Sequence, residues 1–405
     1  MLADVPAVLI LVGLAAYTVL GGADFGAGFW ILFPGGGRAG ADATRDHARH
    51  VIGPVWEANH VWLIFVLVVC WTAYPVAFGS IMSTLAVPLT GAAIGIILRG
   101  ASYALRGQLD GAPQRRLIGG VFACSSVLTP CALGTVVGAI ASGRVPVGNA
   151  RGDLVASWLN PTSVFLGALA IATSAYLAAV YLAADARRLR EAALELDFRA
   201  RALGAAVVAG ALALAGLVIV RADARPLYDG LTTGPGLAMV CVSAAAGLGT
   251  ILSVWTRRFS RARLSAALAV AAIVAGWALA QHPRLLPGLT IAQAAAGRPT
   301  LVALVVAAAA GAAVLVPSLV LLFSLFLRGR LDADARDALV PEVTAVESRD
   351  RAGLAQGFAL ACLVAGAALM LLGDSGWTRV AGVACLCAFA GSAFVAAATR
   401  PDGGR

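Results

Sequence analysis

Eleven stretches of this 405-residue chain are apolar for long enough to cross a bilayer, and the segments between them are short. They fall at roughly 5–33, 51–73, 76–105, 116–142, 158–185, 200–221, 235–256, 264–281, 299–328, 352–373 and 377–398. A helical span needs about 20 predominantly apolar residues. In hydrocarbon every backbone N–H and C=O must be satisfied within the protein, so spans of this length are α-helices. The pattern therefore predicts an all-α polytopic membrane protein of about eleven transmembrane helices. Composition agrees: 60% of residues are hydrophobic and 13% charged, against about 25% charged in soluble domains. The first run, Val5 to Leu20, has no basic segment before it and continues as a long helix. It reads as a span and not as a cleaved signal peptide.

Charge sets the expected orientation. The formal net charge is +9, and every basic residue is Arg. These residues sit in short loops between apolar runs, so they read as topology signals and not as a nucleic-acid surface. Numbering the loops alternately, seven Arg fall on the N-terminal side: Arg144, Arg151, Arg221, Arg225, Arg284, Arg298 and Arg379. Twenty-two fall on the other side, and Arg99 lies within a span. The positive-inside rule then places the N-terminus outside and the C-terminus in the cytoplasm. The longest connection, 329–351, is rich in Asp, Glu and Arg and contains Pro341. It divides a main membrane domain, 1–328, from an appended transmembrane hairpin, 352–398.

Ionisable residues within spans are costly and rare, so they are the first functional candidates. Four stand out: Asp24, Glu57, His60 and Arg99. All fall toward the Arg-rich ends of their helices. Glu57 lies six residues into the second run, about 9 Å deep at 1.5 Å per residue. His60 is one turn further along the same face. Partly buried carboxyl and imidazole groups titrate near neutral pH, so a carboxylic acid followed by a deeper His fits a proton-access element. The competing reading is structural. Arg99 paired with Asp24 or Glu57 would lock the first three helices together. The small residues Gly22, Gly26 and Ala27 permit a close helix contact, and Trp56, Asn59 and Trp62 make the second run unusual for a span.

Other chemistries lack their residues. There is no Walker A loop, no dinucleotide-binding fingerprint and no HExxH pair. The seven cysteines lie in apolar runs without a CxxC pair and read as small buried residues, not metal ligands. A haem held between helices needs axial ligands from facing spans. Only His60 is well inside one, and His47, His50 and His282 lie in loops or at helix ends. A secondary transporter also places a few charges among many helices, but inverted repeats and broken midplane helices are not evident.

The segments Gly21-Gly22-Ala23-Asp24-Phe25-Gly26-Ala27-Gly28-Phe29-Trp30 and Gly53-Pro54-Val55-Trp56-Glu57-Ala58-Asn59-His60-Val61-Trp62-Leu63 resemble subunit II of the cytochrome bd-type quinol oxidases. Ile97-Leu98-Arg99-Gly100, Leu159-Asn160-Pro161 and Leu286-Pro287-Gly288-Leu289-Thr290-Ile291 extend the resemblance, in order, over roughly 1–328. It implies two four-helix bundles plus a peripheral helix, with the hairpin beyond them. It implies a chain that binds no haem and no metal itself and is not catalytic alone. The expected partners are a subunit I carrying haem b and haem d, membrane lipid, and a small accessory single-helix subunit, with quinol as electron donor. The resemblance also places a second-helix carboxylate on a cytoplasmic proton pathway. Many relatives carry Asp followed by Gly-Asn-Gln or Gly-Asn-Glu there, where this chain has Glu57-Ala58-Asn59-His60. Glu57, His60 and Asp24 are thus the expected proton-pathway residues.

Overall fold

The computed structural model describes residues 2–35, 38–52, 56–106, 111–327 and isolated positions between 358 and 389. The chain divides into two units, Met1–Ala312 and Ala313–Arg405. The described part is almost wholly helical. Its elements are α1 (Asp4–Leu32), α2 (Arg38–Ile52), α3 (Trp56–Ala73), α4 (Pro75–Thr84), α5 (Ala86–Arg106), α6 (Ala112–Ala141) and α7 (Pro161–Arg188). Then come α8 (Ala192–Asp223), α9 (Arg225–Leu231), α10 (Gly234–Trp255), α11 (Phe259–Gln281), β1 (Arg284–Leu286), β2 (Leu289–Thr290), α12 (Ile291–Ala294) and α13 (Arg298–Leu327). Eight helices among the described residues are long and apolar enough to cross a membrane, and α3 adds a shorter apolar helix over Asn59–Ala73. The chain is a multi-pass, all-α membrane protein. The expected linker 329–351 lies outside the described residues, as does most of the hairpin 352–398.

Three features depart from the simple reading of spans and loops. The single run expected at 76–105 is two helices, broken at Leu85. Pro88 has no N–H to give the Thr84 carbonyl, and its ring crowds that carbonyl, so the helix restarts. Second, the first Arg-rich connection is largely α2. Its residues Thr44, His47 and Ala48 are buried, the i, i+3, i+4 spacing of one helix face. Third, a two-stranded hairpin, β1 against β2, leads into α12. There Thr290 and Gln293 form a reciprocal capping box.

Helix α7 is the hub. It packs on α1, α6, α8 and α11. Its start is set by Asn160, whose side chain accepts from the Ser163 N–H at 3.0 Å, and by Pro161 at the first helical position. Leu177, Val180 and Leu182 are fully buried amid a run of alanines. Between lipid-embedded helices, association rests on close van der Waals contact, which small residues allow. At Gly138 of α6 an added Cβ would land on the Ser163 backbone. Further contacts join α1 to α3 and α6, α5 to α6, α8 to α10, and α10 to α11.

The two ends are tied differently. At the Arg-poor end Arg144 makes a paired contact with the Asp223 carboxylate, at 2.6 and 2.9 Å. Asp223 also accepts from the Thr162 N–H at 3.1 Å and its hydroxyl at 2.5 Å. The end of α8 thereby caps the start of α7. The Arg144 guanidinium is held above its ordinary pKa, chiefly by that hydrogen bond. At the Arg-rich end His47 Nε2 sits 3.1 Å from the Leu182 carbonyl, and Arg263 meets Asp185 at 2.6 Å.

Candidate functional site

The geometry starts from the glycines of α1. An added Cβ at Gly26 would fall within the Ser174 carbonyl of α7, and at Gly22 it would press Leu177 Cδ1 at 3.2 Å. Four residues apart, Gly22 and Gly26 share one face, and α7 lies directly on it. Asp24, between them in sequence, turns elsewhere. Arg99 of α5, only 1% exposed, reaches Asp24 Oδ1 at 2.5 Å and the Asp24 carbonyl at 3.1 Å. Its other Nη donates to Ser126 Oγ of α6 at 2.7 Å. The guanidinium lies 4.7 Å from the Phe25 ring centroid and 4.5 Å from that of Phe122. One cation thus joins α1, α5 and α6 through a charge-assisted pair, a hydroxyl and two aromatic faces.

Helix α3 closes the other side. Asn59, buried at 1% exposure, donates to the Leu20 carbonyl at 3.3 Å and stands beside the Asp24 carboxylate. His60 is half-buried, its ring edge-on to Tyr17 and Phe25 at centroid distances of 6.3 and 6.4 Å. Trp62 contacts Phe65 further along. The Glu57 and Trp56 side chains lie outside the described residues, although both belong to α3. The structure therefore brings Asp24, Asn59, His60 and Arg99 into one cluster, with Glu57 in the turn before Asn59.

Tyr17, Phe25, Phe122 and Ser126 also belong to this cluster and do not stand out in the sequence. Aromatic residues in a span usually face lipid or core, and a Ser in a small-residue helix is unremarkable. Only helix periodicity gives a signal: Tyr17 and Asp24 are seven apart and so share a face. Asp24 Oδ2, Asn59 Oδ1 and Tyr17 Oη are buried without a hydrogen-bond partner among the described residues. Buried polar atoms of this kind are exceptional in folded proteins and ask for a reason.

The histidines sit in three different settings. His60 is flanked edge-on by two aromatic rings, His47 is committed at Leu182, and His282 caps the end of α11. The cluster offers a carboxylate, an amide, an imidazole and a phenol lined along the contact of α1 with α3.

The model of the family described as cytochrome bd terminal oxidase subunit II matches residues 2–326. The chain belongs to that family. A relative from Bacillus subtilis (strain 168), cytochrome bd ubiquinol oxidase subunit 2, is 26% identical over 129 residues, which is 32% of this chain and 37% of the relative. The match thus spans little more than a third of that protein. The solved structure of bd oxidase from Geobacillus thermodenitrificans aligns with a TM-score of 0.68 at 25% identity. It covers 80% of this chain and 98% of that one. As a bd oxidase subunit II, the chain shares its helical fold with a relative known in three dimensions, and the Asp24–Arg99 cluster lies within the matched region.

Proposed function

We propose that this chain is the haem-free second subunit of a cytochrome bd-type quinol:oxygen oxidoreductase. In this reading it braces a subunit I that carries haem b and haem d, and it gives protons a route from the cytoplasm. The haems in the partner supply oxygen reduction to water, with quinol as electron donor. That reduction consumes protons, and a buried reaction centre needs a path for them. The residues here receive and pass those protons. Glu57, in the first turn of α3, takes a proton from water. His60, one turn deeper, passes it on or adjusts Glu57 by its own charge. Asp24, held by Arg99 and beside Asn59, continues the route and keeps α1, α5 and α6 together.

The observation that carries this reading is the cluster of buried polar groups between α1 and α3, in a region where such groups cost stability unless used. The secondary-transporter reading finds no support in the family relationship. The remaining proposed partners are membrane lipid and a small accessory single-helix subunit.

The deciding experiment is Glu57→Gln in the whole complex, since Gln keeps size and hydrogen bonding but carries no proton. Assembly with full haem content, slowed oxygen consumption and an altered pH profile is the expected result. An assembled variant with normal oxygen consumption and normal proton uptake would refute the relay. Failure to assemble would assign Glu57 to packing instead.

A further inference from the structure

A second charged site lies at the Arg-rich end, between the end of α7 and the start of α11. A pocket of about 670 Å³ is lined by Arg187 and Arg188 from the end of α7 and by Arg257, Arg258, Arg261 and Arg263 around the start of α11. Two carboxylates answer these six cations. Asp185 meets Arg263 at 2.6 Å and Arg188 at 3.7 Å. Glu195 meets Arg187 at 3.2 Å and Arg257 at 3.9 Å. Arg258 and Arg261 make no ion pair among the described residues. Arg263 Nε is buried there without a hydrogen-bond partner, and no side chain caps α11.

The positive-inside rule asks only that basic residues lie on one side. It does not ask six of them to converge on one cavity. Nor does it require Arg257 at φ 56°, the left-handed position after a helix where glycine is usual. The helices that lead into this end carry exposed apolar side chains: Trp255 and Leu252 near the end of α10 are 67% and 66% exposed, and Leu264 in the second turn of α11 is 73% exposed. An exposed Trp at a helix end sits at the headgroup level of a membrane.

We propose that this pocket binds the phosphate of an anionic phospholipid headgroup, with the lipid's acyl chains lying along α10 and α11. Guanidinium pairs suit phosphate oxygens bidentately. The uncapped start of α11 adds its positive dipole end, and the exposed Leu and Trp side chains take the acyl region. A basic pocket between transmembrane helices at the headgroup level matches this ligand class. The proposal needs only the membrane setting and is independent of the proton route.

The test uses the purified whole complex, exchanged from mixed phosphatidylcholine and phosphatidylglycerol into detergent, with retained lipid counted by native mass spectrometry. Wild type should retain phosphatidylglycerol over phosphatidylcholine, and retention should fall as salt rises. The pair R258Q/R261Q should weaken phosphatidylglycerol binding about tenfold or more, whereas R258K/R261K, which keeps both charges, should retain most of it. Equal retention of the two lipids, or unchanged retention in R258Q/R261Q, would overturn the proposal. So would displacement of the lipid by millimolar inorganic phosphate, which would assign the pocket to a soluble anion. If R258Q/R261Q does not assemble, the salt titration of wild type decides, and salt-insensitive retention counts against the site.

Discussion

Arg99 shows how one side chain holds several helices. It is buried among α1, α5 and α6, and its stabilisation depends on keeping every partner. Removing one member of a buried ion pair typically costs about 3–5 kcal/mol, because the other charge is left unpaired. A charge left at the centre of a membrane helix costs at least about 2.5–3.5 kcal/mol. Arg99→Gln and Asp24→Asn should therefore each lower the thermal midpoint of the detergent-solubilised complex by a few degrees. The double variant should lose less than the sum. Additive losses would show that the two charges do not stabilise each other. His60 calls for a different substitution, because its ring is packed against Tyr17 and Phe25. His60→Phe keeps an aromatic ring and removes the titratable nitrogens. On the relay reading the complex assembles with full haem content, and the pH–rate profile of oxygen consumption changes. An unchanged pH–rate profile would remove His60 from the route.

At the scale of elements, the α1–α7 contact sets the position of the whole cluster. A Cβ at Gly26 would collide with the Ser174 backbone, whereas one at Gly22 meets the flexible end of Leu177. Gly26→Ala should force the two helices apart, at the roughly 1–3 kcal/mol of an overpacked core, and Gly22→Ala should be milder. Yield and thermal midpoint of the assembled complex measure the difference, and equal effects would mean the close approach lies elsewhere. The small-residue pattern of α1 was readable in the sequence; which glycine touches backbone was not, since that depends on the crossing point with a helix some 150 positions away. The long apolar helices were legible for the same reason that they exist: hydrocarbon admits no unpaired backbone. Helix α2 was hidden because it is polar, although Thr44, His47 and Ala48 spell out one buried face. The break at Leu85 was signalled by Pro88 but masked by unbroken hydropathy through 76–105. Of the site, the charged residues announced themselves by their cost in a membrane. Their aromatic and hydroxyl neighbours, Tyr17, Phe122 and Ser126, did not, because those types are ordinary in spans.

Taken whole, the molecule carries its Arg asymmetry into its tertiary contacts. At one end Arg199 donates to the Trp255 carbonyl at 2.8 Å, Arg201 to the Pro34 carbonyl, and Arg263 to Asp185. At the other end Arg144 is the cation that binds Asp223, and the loop following it is fastened by Ser80 and Ser83 to the backbone of Gly148 and Ala150 at 2.9 Å each. The two faces are thus distinct surfaces, and the membrane potential and translocation machinery act on them unequally. Short loops rich in Arg stay in the cytoplasm, and the imbalance here is 22 to 7. This predicts cytoplasmic exposure of the end bearing α2 and the α7–α8 turn, the side from which Glu57 would draw protons. Two cysteine variants test it without relying on the hairpin. Residues 151 and 192 are both exposed and lie at opposite ends of α7. In intact cells a membrane-impermeant maleimide should label Arg151→Cys and spare Ala192→Cys, with both labelled after lysis. A phosphatase reporter fused after Arg400 should be inactive, as it is in the cytoplasm, if eleven spans separate the termini. Labelling of Ala192→Cys alone in intact cells would invert the topology and place Glu57 on the wrong side for cytoplasmic protons. Correct labelling with an active reporter would leave the proton route intact and change only the number of spans beyond residue 328.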